Sequence, residues 1–121
     1  MGHPALAVHG APSRAALALT VLVSLAVLFT PGDDVPSAPP GVDKLVHLAL
    51  FAALALAGRW AGIAPRVLAV LLVAYAGASE VVQAVAPLNR SGSVADLLAD
   101  VLGVALGLLA WTGLARARRS R

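Results

Sequence analysis

Asp43, Lys44 and His47, then Glu80 and Gln83, then Arg90, then Asp96 and Asp100 are the residues of this chain best suited to chemistry. Carboxylates beside an imidazole suit general acid–base work, and a lysine and an arginine draw anionic groups. Asp43 and His47 are four apart and share a helix face; Glu80 and Gln83, three apart, share another. Asp96, Asp100, Gly103 and Gly107 follow at spacings of four, three and four, again a single stripe. The cluster sets four carboxyls against two fixed cations, Lys44 and Arg90. Balance requires a proton on one carboxyl, a charged His47 or a bound cation. The spacing is not that of a tight metal-ligand motif, so no metal and no cofactor are expected. Ser79 and Ser91 are the nearest hydroxyls, and neither has a base beside it in sequence. A covalent route is therefore poorly supported.

These residues ride on four apolar stretches, about 15–30, 45–60, 67–86 and 94–114. The 121-residue chain is 60% hydrophobic and 12% charged. An average soluble domain is roughly 45–50% apolar and about 25% charged. A soluble fold this short cannot hide so much apolar surface, because small domains keep a large surface fraction. Lipid is the natural solvent for the excess, and a bilayer-crossing helix needs about 20 apolar residues. The eight prolines fall outside the stretches or at their margins, as residues that stop helices should. The reading is an all-α, integral membrane four-helix bundle, with a short segment 1–14 before the 15–114 domain and a basic tail 115–121 after it. An extended loop is expected over 35–41 and a tight polar turn over 87–93. With no cysteine, disulfides and thiolate metal sites are excluded.

Positive charge sets orientation. Arg14, Arg59, Arg66, Arg116, Arg118, Arg119 and Arg121 fall on one side, against Lys44 and Arg90 on the other. Both termini are expected in the cytoplasm of a bacterial cell, with the first and third connections outside. The net charge of +3 is read as head-group contact rather than nucleic-acid binding, because the arginines gather at helix ends. A cleaved signal peptide over the first stretch lacks a small-x-small cleavage site before the proline-rich loop. At about 1.5 Å per residue, Asp100 lies roughly 9 Å below Val94, Glu80 roughly 10 Å below Pro87 and His47 roughly 6 Å below Asp43. The polar groups thus share one level, and a lipid-facing placement would be costly. They are expected to turn toward one another.

Each residue also has a structural reading. Asp43 is a candidate N-cap, and Ser93 with Asp96 a candidate capping box. Lys44 and Arg90 suit snorkelling to the interface, and His47 a buried hydrogen bond to a carbonyl. Glu80 and Gln83, midway along an apolar span, call for partners, with Lys44, His47 or Arg90 available to the glutamate. The whole network can serve as glue between helices. Gly103 and Gly107 form a GxxxG that admits a neighbouring backbone.

The ordered set Asp43-Lys44-Leu45-Val46-His47, Glu80-x-x-Gln83, Arg90 and Asp96-x-x-x-Asp100-x-x-Gly103-x-x-x-Gly107 resembles the VanZ-like family of small bacterial integral membrane proteins. The resemblance spans residues 43–107. It departs from the family at Asp100, where asparagine is usual, and in an aromatic content reduced around the motifs to Phe51, Trp60 and Tyr75. The resemblance implies an accessory role at the cell envelope, with antibiotic resistance as an associated phenotype and no catalytic activity implied.

Three functions are open at this point. The favoured one is an outward-facing polar pocket that binds a lipid head group, a cell-wall precursor or a glycopeptide-type antibiotic. In it Glu80 and Asp100 accept hydrogen bonds, Lys44 and Arg90 guide anionic parts, and His47 and Gln83 fix orientation. The second is an enzyme using His47 with Glu80 or Asp96 on a lipid-linked substrate. The third is a structural or assembly protein pairing through the Gly103/Gly107 face, homo-oligomers included. The partners expected are thus the lipid bilayer and such a ligand, with no nucleic acid.

Overall fold

The computed structural model describes residues 10–29, 41–85 and 94–119. Arg90, Ser93, most of the loop expected over 35–41 and the turn expected over 87–93 lie outside the described residues. Four helices form: α1 (Ala11–Phe29), α2 (Val42–Trp60), α3 (Pro65–Val85) and α4 (Val94–Arg119). No strand occurs among the described residues. The chain is an all-α membrane bundle. α1, α3 and α4 are long and apolar enough to cross a bilayer, whereas the 19 residues of α2 include Asp43 and Lys44 at one end and Arg59 at the other.

Local chemistry accounts for the boundaries. Pro65 opens α3, where its missing N–H is no loss. α2 ends in a Schellman motif. Gly62 takes a positive φ of 94°, its N–H reaches the Arg59 carbonyl at 3.0 Å, and the Ile63 N–H reaches Gly58 at 3.0 Å. Ile63 then packs on the core, the apolar contact that completes this motif. α2 and α3 begin earlier than their apolar stretches, and α4 runs on to Arg119 instead of stopping near residue 114. Alanine and arginine are strong helix formers, so the basic segment simply prolongs the last helix. Asp43 is not the N-cap of α2. Gly41 holds that position at φ 90° with no side-chain cap, and Asp43 lies in the first turn. There its charge still favours the positive helix end.

α2 is the hub, packed on α4, α1 and α3. Its closest partner is α4, because Gly103 and Gly107 present bare backbone to it. A Cβ at Gly103 would overlap the Leu48 carbonyl, and one at Gly107 would meet Ala52 and Ala55. This GxxxG face is therefore occupied within the chain and is not offered to a second copy. Leu28, Leu50, Phe51, Leu54, Leu68, Leu72, Ala76 and Val104 fill the core. The Phe51 and Tyr75 rings tilt against each other at 5.7 Å. Leu19, Val70, Val85 and Leu109 point outward, each more than 60% exposed. An apolar exterior of this kind suits lipid. Because lipid tails are as apolar as leucine, the bundle is held by close packing and polar ties rather than by hydrophobic burial.

Candidate functional site

Each buried stripe changes character along its helix. On α3 it runs Leu68, Leu72 and Ala76, then Ser79, Glu80 and Gln83. On α2 it runs the other way, from His47 to Leu50, Phe51 and Leu54. α4 starts polar with Asp96 and Asp100 and continues through Gly103 and Val104. Helices consecutive in sequence run antiparallel, so α2 and α4 run parallel and the polar ends of α2, α3 and α4 coincide.

At their meeting point His47 is the centre. It is 1% exposed, and its Nδ1 lies 2.7 Å from Oδ1 of Asp100, which is wholly buried. Its Nε2 faces Asp43 Oδ2 at 3.8 Å. Glu80 joins from α3: ligand atoms of His47, Glu80 and Asp100 all lie within 4.8 Å of one another. A second trio, Asp43, His47 and Asp96, meets the same limit. The imidazole thus stands between carboxylates from three helices.

Around this centre the other residues divide. Lys44 Nζ donates to Asp96 Oδ1 at 3.2 Å, with the lysine half exposed. Asp96 is thus engaged by a cation on α2, whatever its relation to Ser93. Gln83 is buried, and its amide donates to the Leu28 carbonyl at 2.7 Å. Leu28 stands one residue from the end of α1, where carbonyls have no partner within the helix. Gln83 supplies the missing donor and ties α3 to α1. The hydrogen bond expected from His47 to a carbonyl is replaced by its bond to Asp100. Ser79 bonds back to Ala76 at 2.9 Å within its own helix. Sequence reasoning overlooked a further tie, Ser24 Oγ to Tyr75 OH at 2.8 Å. Its signal was a serine in the middle of an otherwise apolar run of α1.

The opposite end has another character. A cleft of about 490 Å³ between α2 and α4 is lined by Ala53, Leu56, Trp60, Trp111, Leu114 and Arg118, among others. Arg59 and Arg66 also lie toward this end, Arg59 donating to the Ile63 carbonyl at 2.8 Å. Acidic and basic ends are thus separated along the bundle.

A family model described as VanZ/LLP1 matches residues 10–116, most of the chain. No curated protein and no solved structure matches.

Proposed function

The chain belongs to the VanZ/LLP1 family, and on that premise we propose an accessory protein of the bacterial cytoplasmic membrane that recognises an amphiphile by its polar group. Both termini are cytoplasmic in this reading, and the acidic end of the bundle opens outward. The ligand presents a lipid head group, a cell-wall precursor or a glycopeptide. One observation supports this most: His47, Glu80 and Asp100, from three helices, converge within 4.8 Å while buried. A bundle that needs only glue is served by one or two such bonds, and intramembrane ionisable groups are costly. Lys44, half exposed beside Asp96, stands where the cluster approaches the surface and suits contact with an anionic portion.

The test is thermal unfolding in detergent with phosphatidylglycerol, undecaprenyl pyrophosphate or teicoplanin added. At least one should raise the Tm of the wild type. Glu80→Gln and Arg90→Ala should remove that rise while the proteins still accumulate. If none of the three protects the wild type, or if both variants are protected as it is, the reading fails.

The His47–Asp100 pair favours a second reading. An imidazole held by a buried carboxylate is oriented for acid–base catalysis. That reading requires turnover of an added lipid-linked substrate, with a bell-shaped pH profile lost in His47→Gln.

A further inference from the structure

We propose that His47, Glu80 and Asp100 bind one divalent cation of the zinc or manganese class. The proposal rests on the reading of this cluster as a binding site, and it names what the site holds first. One ligand comes from each of α2, α3 and α4, and all three side chains are buried. One imidazole nitrogen with carboxylate oxygens is a set that zinc and manganese accept and softer ions do not favour.

The geometry is close to closing. Ligand atoms of the trio lie within 4.8 Å of one another. Around tetrahedral zinc, with bonds of about 2.1 Å, ligand atoms stand about 3.4 Å apart. Each side chain needs to move by about 1 Å or less to reach that arrangement. With Nδ1 turned to the ion, Nε2 remains directed at Asp43, 3.8 Å away. Asp43 is thus placed on the side where metal-bound histidines commonly have a carboxylate, at ion-pair rather than hydrogen-bond distance.

A second observation is independent of the spacing. Asp100 is wholly buried, and while its Oδ1 meets His47, its Oδ2 makes no hydrogen bond among the described residues. A buried carboxylate oxygen without a donor is a rare and costly state. A cation beside it removes that cost. A bound divalent ion inverts the local field and makes an anionic head group a ligand.

The experiment uses the full chain in detergent, stripped with EDTA and titrated with Mn²⁺ or Zn²⁺. Bound metal is read by elemental analysis and, for manganese, by the loss of the free-ion paramagnetic signal. Saturation at one ion per chain, with a rise in Tm, is expected. Glu80→Gln and Asp100→Asn should each weaken binding at least about tenfold. Asp100→Asn keeps the shape and an acceptor for His47, so the variant should remain folded; helical circular dichroism checks this. Absence of binding at tenfold molar excess of both ions overturns the proposal, as does undiminished binding in both folded variants. If no ion binds yet an amphiphile protects through Glu80, the cation proposal falls and the recognition reading stands. If an ion binds through these residues and no amphiphile protects, the cation site stands and the recognition reading falls.

Discussion

The His47 imidazole and the Asp100 carboxylate meet at 2.7 Å across the α2–α4 contact, with neither side chain open to the surroundings. The two residues are 53 positions apart in sequence. Their bond joins the hub helix α2 to the last helix of the bundle. Removing either member leaves the other buried without its partner. Asp100→Leu or His47→Leu should each destabilise by about 3 kcal/mol, the low end for breaking a buried pair. The double substitution should recover part of this loss. A coupling near 1–2 kcal/mol is expected from a double-mutant cycle in detergent, the upper range for polar contacts between membrane helices. Strict additivity would show that the pair does not hold α2 to α4.

Gly103 and Gly77 form an internal comparison. Gly103→Ala places a methyl group on the Leu48 carbonyl, which is backbone and cannot yield cheaply. It should destabilise by about 2–3 kcal/mol, as overpacking does. At Gly77 nothing lies within 4 Å of an added Cβ. Gly77→Ala should therefore stabilise by up to about 1 kcal/mol through helix propensity. Chemical or thermal unfolding of the two variants reads the contrast directly.

Polar ties join α1 to α3, among them Gln83 to the Leu28 carbonyl and Ser24 to Tyr75. Gln83→Leu should cost about 1–3 kcal/mol, since it leaves a buried carbonyl without a donor. The loss should be local. Amide exchange near the C-terminal end of α1 should quicken in this variant, while protection in α2 and α4 stays unchanged. Uniform loss of protection would assign Gln83 a role beyond this tie.

Lys44, half exposed, and Asp96, buried, make a part-buried counterpart of the His47–Asp100 pair. The lysine is half solvent-accessible. Lys44→Gln should cost about 1 kcal/mol, since glutamine keeps a donor for buried Asp96 while solvent screens the lysine charge. In the proposed function its effect appears instead in ligand protection, which should weaken for phosphate-bearing amphiphiles. Measuring both quantities on one variant separates the two roles.

The proposed orientation rests on the distribution of charge and can be tested without a ligand. The chain has no cysteine, so single cysteines report cleanly. Cysteines at Ser37 and Ser91 should react with an impermeant thiol reagent in whole cells, and one at Ser120 should react only after lysis. The reverse pattern would place the acidic end inside.

The four helices, their antiparallel order and the gathering of acidic groups at one end were all legible in the sequence. Apolar run length, proline punctuation and i, i+3, i+4 spacing act within single helices, and each is visible one segment at a time. Sequence also selected His47, Glu80 and Asp100 as residues at similar levels, with Asp43 and Asp96 on the same helix faces as His47 and Asp100. The tertiary structure decided who meets whom. It paired His47 with Asp100 and Lys44 with Asp96, and it turned Gln83 to the end of α1. It also spent the Gly103/Gly107 face on α2 of the same chain. The reason is geometric. Spacing fixes which face a side chain occupies, whereas a partner depends on the rotation and approach of the facing helix. Here that approach is set by two glycines whose missing side chains let α2 and α4 come backbone to backbone.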